Sequence, residues 1–273
     1  MCTILTHMSF KGGAGKTTLN INFALEYCAL NKDKKVLFID ADPQSNATNK
    51  LLKNKDLIKY TLRDALEKNV LLEDLIIKAP IQKFENLDLV ASDIRNVTLE
   101  LFLNAQQARE FLLLNYLTEE KNINIMEEYD VIIFDLNPAI SVLNTNVFIC
   151  CDKIIPILNY NCTDTISGLF LLTETYSSIK KALRLNKDDI AKPIINKFKK
   201  GGLNLTKTWI KEAEENNILS NTFKQTIRES VNYVESIRNQ DNISNYLSNK
   251  KSKTDIHNEF KDLIEEYKRE NIL

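Results

Sequence analysis

An α/β fold with a mostly parallel twisted sheet and helices on both faces is the class this sequence predicts. Three observations lead there. Short apolar, β-prone runs at Cys2 to Phe10, Val36 to Ile39, Leu87 to Ala91, Tyr129 to Asp135, Lys153 to Leu158 and Ile194 to Phe198 recur along the chain. Helical stretches separate several of them, at Leu19 to Leu30, Leu99 to Leu117 and Ser167 to Leu185, and strands alternating with helices of that length imply parallel pairing covered on both sides. The chain has 273 residues, 44% hydrophobic and 27% charged, enough to bury a large core. No internal repeat, low-complexity tract or long linker divides it, so a single domain over residues 1–273 is expected.

The first strand leads into the most informative stretch. Only six glycines occur in the chain, and Gly12, Gly13 and Gly15 fall together in Lys11-Gly12-Gly13-Ala14-Gly15-Lys16-Thr17-Thr18. Glycine is needed where the backbone takes positive φ or lets a ligand approach its amides. Strand, glycine loop and apolar helix in that order form a phosphate loop. Amides of the loop and of the first helical turn cradle phosphate oxygens, aided by the helix dipole. Lys16 neutralises the β and γ phosphates, and the Thr17 hydroxyl takes one place on Mg²⁺. The ligand is therefore a nucleoside triphosphate with Mg²⁺, with Gly12, Gly13, Ala14, Gly15 and Thr18 completing the cradle.

The second strand, Val36 to Ile39, delivers Asp40-Ala41-Asp42-Pro43-Gln44-Ser45-Asn46-Ala47-Thr48. Two carboxylates beside a phosphate loop suit metal and water positioning. Asp40 is assigned to the metal and Asp42 to the attacking water. The run Tyr129 to Asp135 is an apolar strand ending in a carboxylate, the Walker B arrangement, and Asp135 is the third metal residue. Pro193 cannot donate to a ladder, so the last predicted strand starts after it.

Composition excludes several classes. The five cysteines form no C-x-x-C pair, against a disulfide framework or zinc ribbon. Two histidines, His7 and His257, rule out a histidine-rich metal centre; His7 lies in an apolar run and is expected to be core. The most apolar stretch, Val147 to Leu158, is interrupted by Asp152 and Lys153, too short to cross a membrane. The first ten residues lack the form of a signal peptide. These features predict a cytoplasmic protein.

Lys11 gives the loop two lysines, and the loop resembles the signature-lysine loop of the deviant-Walker ParA/MinD superfamily. Asp40 to Thr48 is similar to the D-x-D-P-Q-G-N-A-T of the ParA/Soj branch, with Ser45 at the glycine. The D-T-P-P that usually follows the Walker B strand reads Asp135-Leu136-Asn137-Pro138 here. Ile155-Pro156 through Gly168-Leu169 also resembles a family segment. The match is tight over the first fifty residues, moderate to about residue 200 and loose beyond. The resemblance implies a slow ATPase in which Lys11 reaches the nucleotide of a partner subunit and ATP closes a sandwich homodimer. It implies nonspecific binding to double-stranded DNA, hence association with the nucleoid, and a ParB-like centromere-binding protein that stimulates hydrolysis and release. Asn196 resembles the asparagine that reads the base. Thr226-Ile227-Arg228-Glu229 resembles the family's T-x-I-P-R without its proline, and no base contact is assigned to it. Because the phosphate loop begins so early, no N-terminal helix-turn-helix domain is expected.

Charge is uneven. The formal net charge is −1, yet residues 180–211 carry ten basic and two acidic side chains. A basic patch on a near-neutral chain is the footprint of phosphate-backbone contact, and Lys197, Lys199, Lys200, Lys224 and Arg228 are its expected members. The alternative reading is a MinD-like, membrane-associated positioning ATPase. It needs a basic amphipathic tail. The tail from Asn258 to Glu270 has Phe260, Leu263, Ile264 and Tyr267 at helical spacing with mixed, slightly acidic charge, so it is expected to pack on the domain, with no stable membrane association. A nitrogenase-reductase-like electron carrier needs cysteines mid-chain, and none lies between Cys28 and Cys150.

Overall fold

Period-two alternation along the central strands divides the interior in two. Phe38 and Ile133 face one apolar cluster, while Leu37, Ile39, Ile132 and Phe134 face the other. That division requires a sheet covered on both faces. The computed structural model describes residues 2–160, 162–198, 204–250 and 256–273, with the side chains of 204–207 outside that description. Its strands are β1 (Thr3–Met8), β2 (Val36–Asp40), β3 (Ile76–Lys78), β4 (Leu87–Val90), β5 (Val131–Asp135), β6 (Lys153–Asn159), β7 (Ile194–Phe198) and β8 (Ile227–Arg228). They form one sheet in the order β3-β4-β2-β5-β1-β6-β7-β8. β3 runs antiparallel to β4, and the remaining pairs are parallel.

β1 lies at the centre, between β5 and β6. It ends at Met8, two residues before the end of the predicted run, because Ser9 and Phe10 already belong to the loop. The helix after the loop, α1 (Lys16–Leu30), is buried along most of its length. It packs on one face with the C-terminal helix Glu259–Arg269, whose Phe260, Leu263, Ile264 and Tyr267 are all buried in that cluster. The apolar face of the tail is thus used internally, as its mixed charge predicts. The opposite face is covered by helices that include Val142–Cys150 and Asp164–Leu183.

Two helices and two short strands differ from the sequence expectation. The helix expected over Leu99 to Leu117 is two helices, Leu99–Asn104 and Leu112–Leu117, with a 3₁₀ turn at Arg109–Phe111. Ala108 takes positive φ (48°) at the break, and buried Asn146 bridges it, donating to the Arg109 carbonyl and accepting from Leu113 N–H. The helix expected from Ser167 to Leu185 begins at Asp164 and stops at Leu183, where Arg184 turns left-handed (φ 55°). The short strands β3 and β8 carry too few residues for a periodic signal.

Candidate nucleotide site

The C-terminal ends of β1, β2, β5 and β7 converge on one edge of the sheet, where ligands of open α/β sheets bind. Gly13 (φ 78°) and Gly15 (φ 92°) turn the chain from β1 into α1 through left-handed conformations that favour glycine. Gly15 also sits against Asn196, and a Cβ there would lie 2.5 Å from Asn196 Nδ2. β7 holds the loop from the side: Asn196 Nδ2 donates to the Ala14 carbonyl at 2.8 Å and Lys197 Nζ to the Gly13 carbonyl at 2.8 Å. The first turn of α1 leaves its amides without intrahelical acceptors, and no acidic side chain occupies that turn. An anion is the complement of such an end.

Lys16 is buried, and its Nζ donates to the Ser9 carbonyl at 3.0 Å. Burial lowers its pKa, while the nearby Asp135 and Asp42 oppose the drop. The ammonium is thus partly desolvated on the floor of the loop, where a phosphate would restore full charge compensation. Thr17 and Thr18 follow it on α1. Lys11 is exposed and paired with Asp164, at the start of helix Asp164–Leu183, with Nζ to Oδ2 at 2.5 Å.

Asp40 and Asp135 are direct neighbours across β2 and β5. Burial, and then the Asp135 charge, push the Asp40 carboxyl up to about 7. Its Oδ2 accepts from the Thr48 amide and hydroxyl, each at 2.7 Å, and its Oδ1 accepts from Asp42 N–H at 3.2 Å. Both oxygens are therefore engaged in shaping the loop after β2. Burial raises Asp135 to about 6, with Asn20 and the neighbouring Thr17 hydroxyl opposing. Asp135 Oδ1 accepts from Asn20 Nδ2 at 2.8 Å, whereas Oδ2 is buried with no hydrogen-bond partner among the described residues. A hard oxygen donor left unsatisfied beside the Thr17 hydroxyl fits a magnesium ion. Of the three residues assigned to the metal, Thr17 lies beside the Asp135 carboxyl, and Asp40 stands one strand away. Asp42 is nearly buried, and its Oδ1 accepts from Gln44 N–H at 2.9 Å.

Two cavities meet at the loop. One, of about 360 Å³, is lined by Gly12, Lys16, Thr17, Asp42 and Lys50 among others. The second, of about 420 Å³, is walled by Thr18, Asn196, Ile227, Arg228, Tyr233 and Phe260, again among others. Gly13, Gly15 and Thr18 border both. One cavity is polar and centred on lysine and carboxylate; the other has apolar and aromatic walls. A phosphate chain joined to a base has that polarity.

Of the expected DNA-binding residues, Lys197, Lys224 and Arg228 are among the described ones. Lys197 takes positive φ (56°) and lies back on the phosphate loop. Arg228 lines the larger cavity, with Nε 3.0 Å from Glu259 Oε1 and its amide donating to Glu259 Oε2 at 2.9 Å. Lys224 is exposed, beside the segment anchored by Glu266. Lys199 and Lys200 lie outside the described residues. Elsewhere in the basic window, Lys180 pairs with Asp189, Lys192 with Glu270 and Lys211 with Glu215, and Lys187 donates to the carbonyls of Ile149 and Cys151.

Sequence reasoning missed Asn20 and Asp164. Asn20 had a signal, since it is a polar break in an otherwise apolar helix; Asp164 had none. His7 is in the core as expected, yet both of its ring nitrogens are hydrogen-bonded.

Comparison with known proteins agrees with this geometry. The AAA domain family matches residues 2–191. The cell division protein PomZ of Myxococcus xanthus is 35% identical over 179 residues, covering 64% of this chain and 52% of PomZ. The sporulation initiation inhibitor protein Soj of Bacillus subtilis is 30% identical over 184 residues, covering 67% of this chain and 68% of Soj. The chain thus spans about half the length of the first relative and about two thirds of the second. A crystal structure described as a plasmid partition protein of Borrelia burgdorferi, with AMPPNP bound, superimposes with a TM-score of 0.72 at 26% identity over 98% of both chains. On the family match, these relatives and the glycine loop with its second lysine, the chain belongs to the ParA/MinD-type P-loop ATPases.

Proposed function

We propose that this chain is an ATP-driven switch that partitions DNA, cycling between a nucleotide-closed homodimer on nonspecific duplex and a released form. The base and ribose of ATP occupy the larger cavity, near Asn196 and Arg228, and the phosphates run along Gly12 to Thr18. Lys16 gives up the Ser9 carbonyl for the β and γ phosphates. The Thr17 hydroxyl and Asp135, with Asp40 one strand away, would hold a magnesium ion, which would supply charge neutralisation on the phosphate oxygens. Asp42 borders the same cavity as Lys16, and its carboxylate orients the water that attacks the terminal phosphate. Lys11 leaves Asp164 to meet the nucleotide of the second subunit. An exposed ion pair of this kind is screened by solvent and salt, so its release opposes dimerisation only weakly. A ParB-like partner then accelerates hydrolysis and resets the switch.

The observation that carries this reading is the lysine-and-carboxylate cavity sharing its glycine loop with an aromatic-walled cavity. Titration calorimetry with ATP and Mg²⁺ tests it: wild type binds, and Lys16→Ala loses binding. Gel shifts on nonspecific duplex in ATP, ADP and no nucleotide test the DNA step. Retention in ATP alone, falling steeply with salt, is the expected outcome. No retention in any state, together with sedimentation on anionic liposomes in ATP, would replace this reading with membrane positioning.

A further inference from the structure

His7 lies on the central strand with no exposure, wedged against Phe23 and Tyr267 at ring-centroid distances of 5.4 and 5.9 Å. Its Nδ1 is 2.7 Å from Asn20 Oδ1, and its Nε2 is 2.9 Å from the Tyr267 hydroxyl. Asn20 Nδ2 in turn donates to Asp135 Oδ1. Three buried polar side chains from β1, α1 and the C-terminal helix thus run in one line to the carboxylate beside the phosphate loop.

The direction of that line follows from its last member. An ionised carboxylate only accepts, so Asn20 must turn its amide nitrogen toward Asp135 and its carbonyl oxygen toward His7. His7 must then carry its proton on Nδ1, which leaves Nε2 as an acceptor for the Tyr267 hydroxyl. Reversing any one link sets two acceptors, or two donors, face to face in a dry interior, a costly arrangement. Burial holds the His7 pKa down to about 4, so the ring is neutral near pH 7. Of the two Asp135 oxygens, Oδ1 is held by this line, and Oδ2 is the one without a partner among the described residues.

We propose that Tyr267, His7 and Asn20 form a one-way hydrogen-bond relay of positioning residues that clamps Asp135 Oδ1 and so presents Oδ2 to the magnesium ion. The proposal rests on the MgATP reading above. A purely structural role would be met more cheaply by three apolar side chains in the same cluster. The relay also links the C-terminal helix to the cation site.

The test uses the full chain as wild type, Asn20→Leu and Tyr267→Phe. Binding of a fluorescent ATP analogue is titrated with Mg²⁺ and repeated in excess chelator, so the readout is binding rather than turnover. Outer-shell partners of metal ligands typically contribute about 10- to 100-fold to metal affinity. Asn20→Leu should therefore raise the half-saturating Mg²⁺ by about tenfold or more, and Tyr267→Phe, two links further away, by about threefold on the same scale. Binding in chelator should stay near wild type in both, which a general loosening of the fold would not allow. Nitrogen-15 NMR of the wild-type imidazole should show the neutral Nδ1–H tautomer at pH 7. A neutral Nε2–H tautomer, a charged ring, unchanged Mg²⁺ dependence in folded variants, or equal loss with and without Mg²⁺ would each overturn the relay. If Asn20→Leu does not fold, Tyr267→Phe, which removes one oxygen atom, and the wild-type tautomer decide. Wild type that binds the analogue under neither condition would instead defeat the ATPase reading, while the tautomer still reports on the relay.

Discussion

Gly15→Ala and Gly13→Ala look equivalent in the sequence, and the structure separates them. Both positions have positive φ, 92° and 78°, so each substitution costs about 1–2 kcal/mol of left-handed strain. At Gly13 the new methyl meets nothing within 4 Å among the described residues, and the cost ends there. At Gly15 it meets Asn196 Nδ2 at 2.5 Å, a separation no Cβ tolerates, and it drives that amide off the Ala14 carbonyl. Leaving a buried polar group without its partner adds about 1–3 kcal/mol. Gly15→Ala should therefore destabilise the nucleotide-free protein by about 2–5 kcal/mol, a sizeable share of the about 5–15 kcal/mol that holds a domain together. Urea denaturation of both variants measures the difference, and a double-mutant cycle with Asn196→Ala isolates its cause. Removing the Asn196 side chain should relieve the contact, giving a favourable coupling of about 0.5–3 kcal/mol. Equal costs at the two glycines, with no coupling to Asn196, would refute the idea that β7 braces the loop through that amide.

The other expected outcomes concern the charged groups. Lys11→Ala should keep substantial ATP affinity and lose ATP-dependent dimerisation, read by size-exclusion with a non-hydrolysable analogue; Asp164→Asn, which frees Lys11, should leave dimerisation intact or slightly enhanced. Asp42→Ala should bind ATP, dimerise and remain on DNA without phosphate release, because only the water-orienting step is removed. Asp135→Asn should stabilise the nucleotide-free protein at pH 7.5, where the wild-type carboxyl, raised to about 6 by burial, is ionised at a cost. Folding raises this carboxyl above its unfolded value, so its contribution to stability is lost as pH rises through about 6. The advantage of Asp135→Asn should accordingly shrink toward pH 5, where the wild-type group is protonated. Thermal denaturation at the two pH values checks the sign, and a constant advantage would contradict it.

The phosphate loop was legible because it is local. Gly12, Gly13, Gly15, Lys16 and Thr17 act through spacing along one strand, one turn and one helix, and the carboxylates Asp40 and Asp135 each end an apolar run. What escaped notice was set by packing between distant segments. The base-side wall joins Asn196 to Arg228 and Phe260, which no single window contains. Arg228 reads as one more surface cation until Glu259 and the cavity beside it are seen. The break between Asn104 and Leu112 lies in an apolar-rich stretch with no glycine or proline to announce it, and the residue that bridges it, Asn146, belongs to another helix. β3 and β8 are below the length at which alternation says anything. Asn20 stands between these cases, audible as a discord in α1 but without a partner until His7 and Asp135 came beside it.

The placement of β1 has a consequence for how the chain is made. Its partners on the two sides, β5 and β6, begin at Val131 and Lys153, so β1 is synthesised well before either of its edges can be paired. The Tyr267 hydroxyl meets His7 across 260 residues of sequence. At about 5–20 residues per second of synthesis, the phosphate loop emerges many seconds before the helix that closes over it. Through that interval a sticky, unpaired strand is tethered to a glycine turn that cannot yet hold a nucleotide. The ATP site is thus a late product of translation, and premature release of the chain before Glu259–Arg269 would leave the machinery for binding present in covalent form yet unable to assemble.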